Sequence, residues 1–410
     1  MVRYNTVIIG GGAAGLSAAI AARASGCEEV LLLEREPRLG GILRQCIHAG
    51  FGLERYREDL TGPEFAVRLI DEVQNTGLEY HLNSLVTHIH PDGTIEVISP
   101  ERGAYPVKAD RFILATGALE RTRENQAIAG TRPAGVYTGG QAQQLINIHG
   151  LRIGHRVVVQ GSGDIGLIIS RRLMLEGYEV VRVLERLPVV AGLARNKVLC
   201  LEEFDRDVTF RTQVTEIHGR DRVSGVTASK LDAEYYPIPG TEEFIECDTV
   251  VFSAGLIPDC RLGSQLGPNS TVPVVPVGNA REIHATADEA ARDGENRIHA
   301  TVDTVIAPES IAELQETNEG LLCVICPKGC ILTENDPGCE KGRKYLNEQR
   351  TARPRVLTTT AWRDGMRVAV RSRAPIALSE HRDLVQSVQA PVNGHEQLFT
   401  FTEIARWREY

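Results

Sequence analysis

A glycine fingerprint occurs twice in this chain, and the repeat constrains the fold more than any other feature. Gly10-x-Gly12-x-x-Gly15 follows an apolar run and opens an alanine-rich stretch, and Glu34 stands nineteen residues past Gly15. Gly161-x-Gly163-x-x-Gly166 follows the run Arg156–Gln160, and Glu185 stands nineteen residues past Gly166. One such fingerprint is weak. Two copies, each between a strand pattern and a helix pattern and each with an acid at the same distance, predict two βαβ nucleotide-binding units. The glycines let the backbone turn tightly and approach a pyrophosphate, whose charge meets the N–H groups and positive dipole end of the helix. The acid closing the second strand is placed to bond ribose hydroxyls.

The rest of the chain fits around these units. Strands are expected at Tyr4–Ile9, Val30–Glu34, Leu85–His90, Ile95–Ser99 and Arg111–Leu114, the last ending in Ala115-Thr116-Gly117. Helices are expected at Gly15–Ser25 and Glu64–Thr76. The second unit reads as strand Arg156–Gln160, helix Ile165–Glu176, strand Glu179–Glu185 and a later strand Thr249–Ser253 ending in Ala254-Gly255. From about Asn279 the composition changes. Ala285–Ala300 and Pro308–Asn318 read as helices, and Arg355–Trp362 with Met366–Ser372 reads as a hairpin around Asp364-Gly365. The expected fold is α/β, with two Rossmann-like three-layer domains followed by a small cysteine-rich α+β domain. Residues 1–118 and 256–314 would form the first unit, 119–255 the second, and 315–410 the third.

Bulk properties narrow the function. The chain has 410 residues, 42% hydrophobic and 24% charged, with a net charge of −9. An acidic surface argues against nucleic acid or anionic lipid as the main partner. No run of eighteen apolar residues occurs, so no membrane span is expected. The first apolar run leads directly into Gly10, which leaves no room for a signal peptide, so the expected location is the cytoplasm.

The segment after Glu34 distinguishes FAD from NAD at the first site. Arg35-x₄-Gly40-Gly41 followed by Ile42-Leu43-Arg44-Gln45 resembles the loop that flavoproteins with two dinucleotide-binding domains lay along FAD. The resemblance sharpens over Gly40–Gly52, Leu60–Glu64, Gly161–Leu167 and Gly192–Asn196, which are similar to the FAD/NAD-linked oxidoreductases encoded beside glycerol-3-phosphate dehydrogenases. It covers roughly residues 1–300. It implies a flavoprotein electron-transfer subunit partnered by a flavin dehydrogenase acting on glycerol 3-phosphate or a 2-hydroxy acid. Carried over residue by residue, it places FAD at Gly10, Gly12, Ala14, Gly15, Glu34, Arg35, Gly41, Arg44, Gln45, Ala115, Thr116 and Gly117. Pro276-Val277-Gly278-Asn279 stands where the superfamily usually has Gly-Asp, so Asn279 takes the position of the ribityl-binding acid.

At the second fingerprint, Gly161, Gly163, Asp164, Ile165, Gly166, Glu185 and Arg186 would hold NAD(H). Glu185 accepts from a 2′-hydroxyl and repels a 2′-phosphate, favouring NADH. Asp164 opposes an anion in the loop, and Arg182 and Arg186 flank Glu185. A second unit that keeps the fold without exchanging nicotinamide therefore stays open as an alternative. Near the flavin loop stand one cysteine, Cys46, and one histidine, His48. A dithiol relay is unsupported. Cys46 either shields the flavin or packs, and His48 is either an acid–base group or structural.

Nine cysteines are present, four of them crowded into Cys323-x₂-Cys326-x₃-Cys330-x₈-Cys339. Four thiolates in so short a span repel one another and need a cation. The tract resembles a small four-cysteine domain usually encoded separately beside the same flavoprotein. The run is closer to cluster-binding loops than to paired zinc knuckles, which favours a [4Fe–4S] cluster and leaves zinc as the alternative. Two rival functions also stay open: a stand-alone NADH:acceptor oxidoreductase, and a structural subunit in which nucleotides and zinc only stabilise an assembly.

Overall fold

The computed structural model describes residues 3–192, 194–266 and 272–299, and beyond these only the backbone of five short strands. Its centre is two parallel five-stranded sheets of the same design. The first runs Val274–Pro276, Phe112–Leu114, Thr6–Ile9, Val30–Leu33, Glu79–His81. The second runs Val136–Thr138, Thr249–Phe252, Arg156–Gln160, Glu179–Leu184, Val208–Thr209.

Each sheet is covered on both faces, which is why its strands read as unbroken apolar runs. In the first, Ile8, Leu32 and Ile113 pack on Leu16 of helix Ala13–Ala24 and on Phe65 and Leu69 of helix Gly62–Asn75. Val7, Ile9, Leu31, Phe112 and Leu114 point the other way, onto a layer built from Leu85–Ile89, Thr94–Ser99 and Gly103–Ala109. The second sheet repeats this arrangement. Val157, Val159 and Val251 meet Leu167, Ile169 and Leu173 of helix Asp164–Leu175, while Val158, Val250 and Phe252 meet Val214, Ile217 and Val226 of an antiparallel layer. The units are therefore α/β and Rossmann-like, joined by two crossing strands, Ala118–Glu120 and Leu256–Pro258, which pair antiparallel.

Most expected elements form within two residues of their expected ends, with one correction at the start of the chain. Tyr4–Ile9 is two strands, Arg3–Tyr4 and Thr6–Ile9, broken at Asn5. The amides of both Asn5 and Thr6 turn to the carbonyl of Glu29, and the break sends Arg3–Tyr4 to pair with Lys108–Ala109 in the covering layer. Helix Gly62–Asn75 starts earlier than its apolar spacing indicates, because Thr61 and Glu64 form a capping box with Pro63 in the first turn. The expected helix Ala285–Ala300 is Ala287–Asn296, capped by Thr286 and followed by a single 3₁₀ turn. The hairpin near Asp364-Gly365 is present as Val356–Ala361 paired with Val368–Ser372. Pro308–Asn318, the boundary near residue 315 and all four clustered cysteines lie outside the described residues.

Candidate functional site

The three glycines of each fingerprint do three different jobs. Gly10 has φ +110°, and a Cβ there would lie 2.3 Å from the Ala115 carbonyl oxygen, so only glycine fits. A Cβ on Gly15 would lie 1.8 Å from the Gly10 carbonyl, so this glycine brings helix against strand. The middle glycine is different. A Cβ on Gly12 would meet only Gly41 Cα, at 4.0 Å. Space is thus left at the start of helix Ala13–Ala24, which has no side-chain cap and no acid in its first turn. Uncapped N–H groups beside an open slot make an anion cradle. Its far wall is the Gly40-Gly41 turn, fixed by the Gly40 N–H on the Gly11 carbonyl at 2.8 Å.

The acids at the strand ends organise these loops. Glu34, buried, accepts from the Gly11 N–H at 2.6 Å and from the Glu36 N–H at 2.8 Å. Glu185, equally buried, accepts from Ser162 N–H at 2.8 Å, from Ser162 Oγ at 2.7 Å and from Leu187 N–H at 2.8 Å. Both carboxylates are therefore held beside their cradles, and Glu185 carries one bond more.

The second cradle repeats the glycine geometry, with φ +111° at Gly161 and nothing within 4 Å of a Cβ on Gly163. It departs in one respect. Helix Asp164–Leu175 carries Asp164 in its first turn, and Asp164 Oδ1 accepts from Asn196 Nδ2 at 2.7 Å. The segment leading to Asn196 folds onto the same loop, with the Gly192 N–H on the Ser162 carbonyl at 2.8 Å. Ile165 and Gly166 follow at the helix start. Arg182 is paired with Glu243 at 3.0 Å, whereas the guanidinium of Arg186 lies over the Tyr235 ring, 5.9 Å from its centroid.

The other candidate residues fall around the first cradle. Gly278 has φ +57°, and a Cβ there would be 2.5 Å from the Ala14 Cβ, so Ala14 is where the returning chain packs on the cradle helix. Asn279 gives its side-chain oxygen to the His284 N–H at 3.0 Å. Thr116 Oγ1 donates to the Asp259 carbonyl at 2.5 Å and the Gly117 carbonyl accepts from the Asp259 N–H at 3.0 Å, so both tie the first sheet to the returning strand. Arg35 is exposed beside Glu36, and Arg44 runs its stem over Gly40. Gln45 reaches across instead. Its amide Nε2 donates to the Gly140 carbonyl at 2.8 Å, in the second unit.

Cys46 behaves as a packing residue. Its Sγ donates to the Ile42 carbonyl at 3.3 Å, and burial pushes the thiol up to about 12, so the thiolate that would act as a nucleophile is scarce at neutral pH. His48 is held low by burial, against the opposing pull of the Ala49 carbonyl and Asp164. Its Nδ1 contacts that carbonyl at 2.9 Å. A carbonyl only accepts, so Nδ1 carries the proton and Nε2 of the neutral ring is left as acceptor.

Sequence reasoning missed the acids that fix the site from outside. Asp288, buried on helix Ala287–Asn296, accepts from the N–H groups of Gly52, Glu54 and Arg55 at 2.9, 3.2 and 3.1 Å. Asp293 accepts from the Gly278 N–H at 2.7 Å and pairs with Arg281 and Arg297, both at 3.1 Å. Glu120, on the crossing strand, accepts from the Gly140 N–H at 2.7 Å. All three look like ordinary helix or strand-end acids in the sequence. Each holds at least one backbone amide, a partner that leaves no residue-type signal.

Two cradles of this kind, each closed by a buried glutamate and joined by crossing strands, define a flavoprotein with paired dinucleotide-binding units. The chain belongs to the pyridine nucleotide-disulphide oxidoreductase family, which matches it over residues 4–275. Oxidoreductases of that family use FAD and NAD(P)H, and the two cradles here are built to take two dinucleotides. The chain is similar to the HcnB subunit of hydrogen cyanide synthase from Pseudomonas protegens, 24% identical over 286 residues, which cover 64% of this chain and 59% of the relative. It is similar also to the NAD(P)H sulfur oxidoreductase (CoA-dependent) of Pyrococcus abyssi, 27% identical over 275 residues, covering 65% of this chain and 56% of the relative. The chain thus spans less than two thirds of these relatives. The fold matches thioredoxin reductase of T. acidophilum with a TM-score of 0.58 and 23% identity, over 72% of this chain and 96% of that one. Among the described residues no helix is long and apolar enough to cross a membrane.

Proposed function

We propose that this chain is an electron-transfer subunit passing electrons between a partner dehydrogenase, FAD, NAD(H) and a cysteine-bound iron–sulfur centre. The observation that carries the reading is the pair of open, uncapped cradles, tied together through Gln45 and Gly140. FAD, where bound, would supply both two-electron hydride chemistry and one-electron exchange. The chain's own residues do the rest. Gly12 and Gly41 admit the FAD pyrophosphate to the N–H groups of helix Ala13–Ala24, and Glu34 orients the adenosine end. Gly163 and the start of helix Asp164–Leu175 hold the nicotinamide nucleotide, with Asn196 drawing the Asp164 carboxylate away from the phosphates. His48 Nε2 holds or releases a proton between the two sites. Cys46, a protonated packing thiol, takes no covalent part.

The partner is proposed to be a flavin dehydrogenase subunit oxidising glycerol 3-phosphate or a 2-hydroxy acid. Membership of a complex is supported by the relative that is a subunit of hydrogen cyanide synthase. A stand-alone NAD(P)H:acceptor oxidoreductase is favoured by one observation, the likeness to the Pyrococcus abyssi enzyme.

The one-electron outlet is assigned to Cys323, Cys326, Cys330 and Cys339. Support comes from the strands on either side. Leu321–Leu322 pairs antiparallel with Ile331–Leu332, so the chain ends flanking residues 323–330 lie side by side. A cluster needs this closure to bring its first and third thiolates to one centre. The reading is tested by metal and sulfide analysis of anaerobically purified protein. We expect on the order of four irons and four sulfides per chain, as for one [4Fe–4S] centre. Stoichiometric zinc without sulfide would make the tail a structural clip.

A further inference from the structure

Two nucleotide units joined by crossing strands need something to fix their relative position. Hydride transfer requires the reacting atoms to approach within roughly 3–3.5 Å, and a misplacement of about 1 Å costs on the order of a hundredfold. The covalent link between the units is the pair Ala118–Glu120 and Leu256–Pro258, a two-stranded ribbon. Such ribbons are twisted more strongly than wider sheets and lack their flanking strands. They do not hold an orientation to that tolerance by themselves.

A hydrogen-bonded chain crosses the gap beside them. Gly140 is gripped from both sides, its N–H on Glu120 Oε1 at 2.7 Å and its carbonyl on Gln45 Nε2 at 2.8 Å. The Gln45 carbonyl in turn accepts from Asn147 Nδ2 at 2.8 Å, and Asn147 Oδ1 accepts from Arg172 Nε at 2.9 Å. Gln45 ends the turn Gly41–Gln45, whose first residue walls the FAD cradle. Arg172 sits on helix Asp164–Leu175, whose first residue opens the nicotinamide cradle. Polar contacts therefore link the turn that walls the first cradle to the helix that opens the second.

The local backbone is shaped for this. Gln144–Ile148 is a π-turn, a form that costs regularity and clusters at functional positions. Removing its extra residue would rotate the downstream side chains by roughly 100° about the helix axis. A larger residue at the grip would have to displace neighbouring side chains. A Cβ on Gly140 would lie 2.8 Å from Glu120 Oε2, and one on Gly139 would lie 2.7 Å from Ile165 Cγ2, in the second cradle.

We propose that Gln45 and Asn147 form an interdomain clamp that sets the spacing of the two cradles, making Asn147 a positioning residue for hydride transfer between nicotinamide and flavin. The proposal rests on the function proposed above. The step it serves moves a hydride with its two electrons from the dihydronicotinamide to the flavin, oxidising the first and reducing the second.

The variant Asn147→Asp keeps an acceptor for Arg172 and loses the donor to the Gln45 carbonyl. Gln45→Glu likewise loses the donor to Gly140. Two measurements on the full FAD-bound chain are needed. In hydrogen–deuterium exchange, peptides over residues 118–120 and 139–149 should exchange at least tenfold faster in both variants, while Arg156–Gln160 stays as slow as in the parent. In anaerobic rapid mixing, the limiting rate of flavin reduction by NADH should fall roughly ten- to a hundredfold, with FAD content and the NADH concentration for half-saturation little changed. Unchanged exchange in both variants would overturn the clamp. Faster exchange with an unchanged limiting rate would overturn the positioning role. A parent protein whose flavin NADH does not bleach would refute the proposed function instead, and the exchange measurement would still decide whether the clamp exists.

Discussion

Gly12→Glu should leave a folded protein with almost no flavin. Gly12 sits at φ −83° and ψ −169°, an ordinary extended conformation open to any residue, and a Cβ there meets nothing closer than 4.0 Å. The fold therefore has no reason to reject the side chain. The cofactor does. A carboxylate would fill the slot between Gly12 and Gly41 and place a negative charge on the N–H groups that the pyrophosphate needs. Flavin per chain should fall from about one to below roughly a twentieth, as expected when an anion site is both blocked and charge-reversed. Gly10→Ala is the contrasting control. Its methyl group would lie 2.3 Å from a backbone carbonyl at φ +110°, so it should damage folding itself. The Gly12 variant should melt near flavin-free parent protein, because bound ligand stabilises the folded state by mass action. A Gly12→Glu protein that retains stoichiometric flavin would show that the cradle is elsewhere.

Asp288→Ala should be among the most destabilising single changes in the first unit. The carboxylate is buried and is the common acceptor for the amides of Gly52, Glu54 and Arg55. Truncation leaves three buried or half-buried donors without a partner at once. Each bond to a charged acceptor contributes about 1.5–3 kcal/mol, and the losses overlap because one loop carries all three. A loss of about 3 kcal/mol is expected, which for a unit of this size lowers the melting temperature by roughly 6–12 °C. Asp288→Asn should lose about half of that, since one oxygen can still accept from Glu54 and Arg55 while the amide nitrogen faces the Gly52 N–H. The loop also neighbours the ring of Phe51, which lies 5.1 Å from that of His48, so flavin reduction should slow alongside. Thermal unfolding of flavin-loaded protein measures the effect. A melting point within a degree of the parent would mean that the loop is held by other contacts.

Glu34 and Asp288 mark the two ends of what the sequence reveals. Glu34 is legible because a short-range rule places it: the strand, the turn and the helix between Thr6 and Leu33 fix where an acid nineteen residues past Gly15 must fall. Glu185 is legible for the same reason. The parallel strands are legible because burial on both faces writes itself as an apolar run. Asp288 acts on residues more than two hundred positions away through backbone amides, which every residue possesses. Gln45 shows a second limit. It stands in a loop whose resemblance implies a FAD contact, yet its amide is on Gly140. Motif position fixed the loop but not the direction of a flexible side chain. Asn147 carries no signal either, since the π-turn that aims it is set by the backbone hydrogen-bond pattern.

In the proposed function, electrons pass between nicotinamide at the second cradle and flavin at the first. Anaerobic mixing of the purified flavoprotein with NADH and, in parallel, with NADPH tests it most directly. In the proposed function, buried Glu185, just past the second strand of its cradle, would accept from a 2′-hydroxyl and repel a 2′-phosphate. NADH should therefore bleach the flavin band near ~450 nm, a property of the cofactor itself, and should do so faster than NADPH. Bleaching by NADPH alone would contradict the assignment of Glu185. A flavin that stays yellow with both would contradict the account itself, leaving the second unit as a fold retained without its chemistry.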